Sequence, residues 1–181
     1  MREHKIVVLG SMGAGKSTLV RTVSTGQMVD TDVTNTDTDS DKLTTTVAMD
    51  YADVDLPNGD RLRLYGTPGQ QRFDFIWPIL LEGAAGVVLL LDAAADGAPN
   101  QFVSYLDVLR THAAQVPTVI GLSKVDLRPE VDVNAYTDQL HQRGQMLPVV
   151  PFDAREVDQI MLLMDVLMSE IESAELVAEH G

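Results

Sequence analysis

The stretch Gly10-Ser11-Met12-Gly13-Ala14-Gly15-Lys16-Ser17 fits the pattern G-x-x-x-x-G-K-[ST] at every fixed position. An apolar run that ends at Leu9 precedes it, and residues 18–23 can open a helix, so the context is strand, loop and helix. Glycines let a backbone wrap closely around an anion and aim its N–H groups inward. The following helix adds its positive N-terminal end. The sequence therefore predicts a phosphate-binding loop followed by a helix.

The chemistry of the conserved pattern assigns roles to the last residues of this loop. Lys16 places a point charge on the outer phosphates, and the Ser17 hydroxyl is positioned to ligate Mg²⁺. We expect the whole segment from Gly10 to Thr18 to bind a nucleoside triphosphate. The motif alone does not distinguish a GTPase from an ATPase or a nucleotide kinase.

Composition limits the class of protein. The chain has 181 residues, 45% of them apolar and 22% charged, which suits one soluble domain with a full core. It has no cysteine, which excludes disulfides, thiolate metal sites and thiol-linked lipids, and its second residue does not fit a myristoylation signal. The net charge of −14 argues against a nucleic-acid surface. We expect a cytoplasmic protein without a lipid anchor of its own, which reaches a membrane only through a partner.

Strand-like apolar runs alternate with helical periods. Pro57-Asn58-Gly59-Asp60 separates two strands as a hairpin turn, and apolar residues recur with helical spacing over residues 102–113 and 157–171. This alternation predicts an α/β fold, a single domain over residues 1–181, with about six mostly parallel strands and helices on both faces. We expect residues 1–4 and 174–181 to fray. The predicted strands are 4–9, 47–56, 61–65, 86–91, 118–122 and 147–150.

Three later segments carry a family resemblance. The stretch 65–73, Tyr-Gly-Thr-Pro-Gly-Gln-Gln-Arg-Phe, resembles the D-x-x-G-Q motif of Ras-like small GTPases. Residues 123–126, Ser-Lys-Val-Asp, resemble their guanine-reading [NT]-K-x-D motif, and residues 46–51 resemble the switch I threonine and the strand after it. Order and spacing match from about residue 5 to residue 172. The chain thus resembles the Ras-like P-loop NTPases, and most of all bacterial members such as the gliding-motility polarity switch (the Mgl type).

The resemblance implies a guanine site. The carboxylate of Asp126 would accept two hydrogen bonds from guanine, whereas adenine would leave a buried aspartate unpaired. Lys124 would lay its stem along the base and tie the phosphate loop in place. The loop Asp153-Ala154-Arg155 corresponds to the family's S-A-K loop, which touches the guanine oxygen. The residue before Lys124, Ser123, completes this predicted set.

The resemblance also implies a catalytic mechanism and partners. Thr46 would join Ser17 as a Mg²⁺ ligand, and the acidic segment 27–46 would be switch I, ordered by GTP. The Gly69 amide would sense the γ-phosphate, and Gln70 would orient the attacking water. Gln70, Lys16 and Thr46 are therefore the predicted catalytic residues. A GTPase-activating protein of the Roadblock fold, an exchange factor and effectors are the expected partners.

Two positions depart from the family pattern. Gly66 stands where the family has an aspartate that holds a water on Mg²⁺, and its loss would weaken metal affinity or slow hydrolysis unless local acidic residues compensate. Ser123 replaces an asparagine or threonine, and its shorter side chain would hold the phosphate loop less firmly.

Alternatives to the switch remain open. One is a nucleotide-binding module with little or no hydrolysis, and a less favoured one is a P-loop ATPase or kinase. Arg72 is either an intrinsic arginine finger or an exposed side chain. The apolar residues Phe73, Phe75, Ile76 and Trp77 form either an effector surface or part of the core.

Overall fold

The computed structural model describes residues 1–24, 31–34 and 46–181, with the backbone alone described at 31–34, 46–48 and 71–73. Within these ranges, strands and helices alternate along the chain. The strands are β1 (Glu3–Gly10), β2 (Thr31–Thr34), β3 (Thr46–Asp55), β4 (Arg61–Gly66), β5 (Gly86–Asp92), β6 (Thr118–Ser123) and β7 (Val149–Pro151). The helices are α1 (Lys16–Val23), α2 (Trp77–Leu81), α3 (Ala98–His112), α4 (Val133–Gln142) and α5 (Val157–His180), with 3₁₀ turns at Gln71–Ile76 and Val125–Leu127.

The seven described strands form one sheet in the order β2-β3-β4-β1-β5-β6-β7. In this spatial order, the neighbouring strands β4, β1, β5, β6 and β7 are all parallel. At one edge, β3 pairs antiparallel with β4, and β2 pairs antiparallel with β3. The predicted α/β class with a mostly parallel sheet is therefore confirmed. The sequence did not reveal β2, because Thr31-Asp32-Val33-Thr34 has too few apolar residues to give a strand pattern.

The core lies on both faces of the central strands. Along β1, Ile6 and Val8 contact the layer of α1 and α5, whereas Val7 and Leu9 contact the layer of α2 and α3. All four side chains are fully buried. A strand covered on both faces needs a continuous apolar run, which is what the sequence has before the phosphate loop.

The hairpin between β3 and β4 fixes a register that matters for the site. Gly59 has a φ of +88°, a left-handed conformation that favours glycine, and the Leu56 N–H donates to the Asp60 carbonyl at 2.8 Å. From this turn the antiparallel pairing runs to Asp50, which lies opposite Gly66. The turn therefore places a carboxylate beside the position where the family's acid is missing.

The two ends of the chain are more regular than the predicted fraying of residues 1–4 and 174–181. Helix α5 runs for 24 residues to His180 instead of fraying at residue 174, and β1 begins at Glu3. Alanine, glutamate and leucine are strong helix formers and dominate this last stretch, and Arg2 forms an ion pair of 3.1 Å with Glu175. Among the described residues, no helix combines the length and apolar character needed to cross a membrane.

The core predicts a measurable cost of truncation at Phe102. This side chain is fully buried, and its ring centroid lies 5.5 Å from that of Tyr136 in an edge-on contact. Phe102→Ala should lower the free energy of unfolding by about 3–5 kcal/mol, because it leaves a cavity. Urea unfolding followed by circular dichroism measures this loss. The control Leu176→Ala, at an exposed position of α5, should change stability by no more than about 0.5 kcal/mol; equal losses in both variants would contradict the assigned core.

Candidate functional site

The phosphate loop joins the end of β1 to the start of α1. Gly13 and Gly15 have φ values of +82° and +97°, which side chains rarely adopt. The Ala14 N–H donates to the Ser11 carbonyl at 3.2 Å and closes the turn. The loop thus brings its backbone around the N-terminus of α1, where N–H groups and the helix dipole both favour an anion.

Lys16 lies inside this loop. Its ammonium donates to the carbonyls of Gly10 at 2.5 Å and Ser11 at 2.7 Å, and its side chain is buried. Burial lowers the pKa of Lys16 to about 8, and the negative charge of Asp50 opposes that shift. An ammonium has three protons, so one remains for an oxygen of a bound phosphate.

The Ser17 hydroxyl, predicted to be a metal ligand, donates a hydrogen bond to the carboxylate of Asp50. Asp50 is half-buried on β3, directly opposite Gly66. No sequence motif singles out Asp50, because it lies in the segment that resembles only the strand after switch I. The register of the hairpin, counted outward from Gly59, was the signal that could have found it.

The oxygen atoms beside the phosphate loop suit Mg²⁺. This ion prefers oxygen ligands, keeps several waters and takes further oxygens from phosphates, so one or two protein groups suffice. Ser17 and Asp50 provide a hydroxyl and a carboxylate together, and the described part of the chain holds no cluster of three or more acidic, histidine or cysteine ligands. Thr46, the other predicted ligand, is the first residue of β3, and its side chain lies outside the described atoms.

A cavity of about 190 Å³ lies beside the phosphate loop, where a base would follow the phosphates. Asp126 is at its mouth with 59% of its side chain exposed, which corrects the expectation of a buried aspartate. Asp126 belongs to a short 3₁₀ turn at the surface, and its carboxylate lies 3.9 Å from the guanidinium of Arg155. The residues that line the cavity are Gly15, Thr18, Ser123, Lys124, Asp126, Leu127, Asp153, Ala154 and Arg155.

The predicted loop 153–155 forms another wall of this cavity. The guanidinium of Arg155 donates two hydrogen bonds to the Asp153 carboxylate, at 2.9 and 2.6 Å, and these hold the pKa of Asp153 at about 2. The Thr22 hydroxyl of α1 donates to the Ala154 carbonyl at 2.8 Å. Within the described residues, the Ala154 N–H has no hydrogen-bond acceptor, so it is available to an oxygen on the base.

Two side chains at the end of β6 bind the phosphate loop. The Ser123 hydroxyl lies 2.8 Å from the Ala14 carbonyl, so this shorter residue does reach the loop. The Lys124 ammonium donates to the Gly13 carbonyl at 2.6 Å and to the Asp92 carboxylate at 2.8 Å. Asp92 is a further residue that the sequence analysis missed; it ends β5 and pairs in register with Ser123.

The segment after β4 touches the opposite side of the phosphate loop. A Cβ atom on Gly69 would lie 2.6 Å from the backbone of Met12 and 3.0 Å from the Lys16 ammonium, so only glycine fits there. Gln70 is exposed and lines a second cavity of about 500 Å³, together with Ser11 and Met12 of the loop. The structure thus brings Gly69 and Gln70 to the phosphate end of the site.

The predicted effector surface divides into two parts. Ile76 and Trp77 are buried in the core, and the Trp77 ring centroid lies 5.3 Å from that of Tyr105, which favours the core alternative for both. Phe75 has 58% of its surface exposed. The side chains of Arg72 and Phe73 lie outside the described atoms, as does most of the predicted switch I.

The hydroxyl of Ser123 yields a stability prediction. Ser123→Ala leaves the buried end of β6 without its bond to the Ala14 carbonyl and should lower the free energy of unfolding by about 1–3 kcal/mol. Ser169→Ala is the matched control, because that hydroxyl donates to the Asp165 carbonyl on an exposed turn of α5. Thermal unfolding compares the two variants, and equal midpoints would contradict the structural role of Ser123.

Searches against known proteins find distant relatives. The chain is 27% identical over 128 residues to the Ras-related protein Rab-18 of Lymnaea stagnalis, and 28% over 138 residues to the GTP-binding protein ypt4 of Schizosaccharomyces pombe. It is 26% identical over 141 residues to ADP-ribosylation factor-like protein 8c of Arabidopsis thaliana. These matches cover 67%, 72% and 77% of this chain, and 57%, 54% and 70% of the relatives. The chain therefore spans little more than half the length of the first two.

A sequence family described as "Conserved hypothetical ATP binding protein" matches residues 26–172, which is most of the chain. The match begins after the phosphate loop, so it is evidence from residues other than the G-x-x-x-x-G-K-S stretch. The loop, the fold and the distant relatives agree with a nucleotide-binding site of the same general kind. The chain belongs to this family of conserved hypothetical ATP-binding proteins. Its phosphate loop and its distant similarity to Rab and ADP-ribosylation factor-like proteins support a P-loop nucleotide-binding protein that resembles Ras-like GTPases.

Proposed function

We propose that this protein is a GTP-binding switch that hydrolyses GTP slowly with Mg²⁺. The observation that carries the proposal is the base cavity, which is lined by Asp126 and Ala154. The Asp126 carboxylate is exposed and has only a long contact of 3.9 Å with Arg155 among the described residues, and the Ala154 N–H has no acceptor there. Guanine presents an N1–H and an amine, which a carboxylate can accept together, and a carbonyl oxygen, which a backbone N–H can bind. The two groups therefore complement guanine.

The family description names ATP, and the cavity argues for guanine instead. Adenine has an amine where guanine has its carbonyl oxygen, and it has no N1–H. A base of that kind would cover the Asp126 carboxylate without pairing it, and leaving a charged acceptor unpaired is costly. One of the relatives, ypt4, is named a GTP-binding protein. We therefore propose GTP and GDP as the ligands.

The hydrolytic step follows from the residues at the phosphate end. Lys16 would balance charge on the outer phosphates. Ser17 would hold a Mg²⁺ ion, which would supply positive charge against the negative charge that develops in phosphoryl transfer. Gly69 lies close enough for its amide to contact that group, and Gln70 follows it with an exposed side chain that can orient water. Charge stabilisation is incomplete with these groups alone, so the intrinsic reaction is slow.

A second candidate function is a nucleotide-binding module with little hydrolysis. The observation in its favour is Gly66, the last residue of β4, which stands where the Ras-like pattern has an acid. Both candidates predict guanine binding, so only a measurement of the chemical step separates them.

The biological role is also a proposal. The resemblance to Mgl-type bacterial switches supports regulation of cell polarity, motility or signalling through partners. In this proposal Thr46 and the segment before it respond to the γ-phosphate, a Roadblock-fold protein activates hydrolysis, and an exchange factor reloads the site. A cytoplasmic location stays a prediction from the sequence.

Replacing the carboxylate of Asp126 with an amide tests whether the bound base is guanine. Asp126→Asn should reduce GTP affinity by about 10²-fold and raise affinity for xanthosine triphosphate, because an asparagine amide can donate to the carbonyl that xanthine carries in place of the guanine amine. Calorimetry measures the affinities for GTP, ATP and xanthosine triphosphate. The control is Asp138→Asn, an exposed site on α4, which should bind like the parent. A parent that binds ATP as tightly as GTP would refute the guanine proposal.

A single-turnover experiment tests the hydrolytic proposal. Gln70→Ala should slow GTP cleavage by about 10- to 100-fold, because water loses its orienting group, while GTP affinity is preserved. Gln101→Ala is the control, since Gln101 lines the same cavity from α3 and should leave the rate unchanged. Chromatography of GDP formed over time gives both rates. Equal rates in the parent and Gln70→Ala would favour the binding module.

A further inference from the structure

We propose that Asp50 supplies from β3 the carboxylate that holds a Mg²⁺-bound water, in place of the acid that the superfamily carries at the position of Gly66. This inference rests on the proposed function, since it assigns a residue to the metal side of the same site. It also explains how the chain can keep a metal-dependent site without an aspartate after β4.

The geometry shows that positions 50 and 66 share one space. The two residues are direct partners across the antiparallel pair of β3 and β4. A Cβ atom on Gly66 would lie 3.1 Å from the Cβ of Asp50 and 3.6 Å from its carboxylate oxygen. A side chain at position 66 would therefore crowd the one at position 50. The glycine gives the carboxylate of Asp50 the room that an aspartate after β4 would otherwise fill.

The carboxylate of Asp50 is directed at the metal side of the phosphate loop. It accepts the hydrogen bond of the Ser17 hydroxyl, and its charge acts on the Lys16 ammonium. In the phosphate-loop motif, the serine hydroxyl is the residue that would hold a Mg²⁺ ion and the lysine the residue that would contact the outer phosphates. A carboxylate in contact with that hydroxyl is placed where it could accept a hydrogen bond from a water of the ion.

The other acids of β3 behave differently. Asp55 forms an ion pair of 2.8 Å with Arg61, and Asp53 lies 3.9 Å from both Arg61 and Arg63 on the polar face of the hairpin. Asp50 instead shares the inward face with Ala52 and Val54, which pack in the layer of α1. Placing a carboxylate on that face costs desolvation unless it has a partner. A metal site that needs the negative charge of Asp50 explains why a carboxylate lies on this face.

The test measures release of a fluorescent GDP analogue from the protein at increasing Mg²⁺, with EDTA as the metal-free reference. In the parent, Mg²⁺ should slow release with a defined midpoint concentration. Asp50→Asn keeps the shape of the side chain and removes its charge, so it should raise that midpoint by about 10- to 100-fold, the usual cost of losing a group that orients a metal-bound water. Its release rate in EDTA should equal that of the parent. Asp55→Asn, the control on the same strand, should keep the parent's midpoint.

A double variant tests whether a carboxylate at position 66 can replace the one at position 50. Asp50→Ala should raise the Mg²⁺ midpoint as Asp50→Asn does. Asp50→Ala combined with Gly66→Asp should lower it again toward the parent's value, because the removed carboxylate makes room for one at position 66 of β4. Circular dichroism melts confirm that each variant is folded. A folded double variant whose Mg²⁺ midpoint equals that of Asp50→Ala would show that a carboxylate at position 66 does not replace the one at position 50.

Two results would overturn the assignment of Asp50 itself. One is an Asp50→Asn midpoint equal to the parent's. The other is faster release by the same factor in EDTA and in Mg²⁺, which would make Asp50 a structural cap of α1 only. A parent that fails to bind GDP, or that shows no Mg²⁺ dependence, would refute the proposed function together with the role of Asp50.

Discussion

The carbonyl groups of the phosphate loop impose the constraint on which the site depends. A loop that aims its N–H groups at an anion must turn its carbonyls outward, and those carbonyls need donors. Lys16 donates to the carbonyls of Gly10 and Ser11, and side chains at the end of β6 donate to those of Gly13 and Ala14. The loop holds its shape because Lys16, Ser123 and Lys124 donate hydrogen bonds to these carbonyls. Much of the sequence around the site therefore supports the loop as well as the ligand.

The parallel sheet explains how distant residues reach this loop. Strands β1, β5, β6 and β7 are consecutive neighbours that run in one direction, so the loops at their carboxyl ends meet at one edge. The phosphate loop follows β1, Asp92 ends β5, Lys124 follows β6 and Asp153 follows β7. Ligands of open α/β sheets bind at this edge. The contact from Lys124 to Gly13 and Asp92 joins three of these loops, which ties the base side of the site to its phosphate side.

Local patterns in the sequence predicted the parts of the structure that local chemistry determines. The phosphate loop, the turn at Gly59 and the buried central strands each follow from neighbouring residues, and all were expected. Asp50 and Asp92 were missed because their roles come from pairing between strands, which no local pattern encodes. The exposure of Asp126 was missed for a similar reason, since the motif does not encode that its residues form a 3₁₀ turn at the surface. Strand β2 was missed because it is a polar edge strand that only its pairing with β3 defines.

If Asp50 holds the metal-bound water as proposed, the metal side of the site is separated from the segment after β4. In the Ras-like pattern the acid at the position of Gly66 links the metal to that segment, which is called switch II. Here β4 ends at Gly66, and the next residue, Thr67, donates its hydroxyl to the Val8 carbonyl of β1. With the carboxylate at Asp50, the metal side belongs to β3, the strand that begins at Thr46. The segment after β4 would then sense the nucleotide only through its own γ-phosphate contact at Gly69. On the proposed assignment, loss of that phosphate would release switch II without disturbing the residues that would hold the metal, so the GDP form would keep its metal.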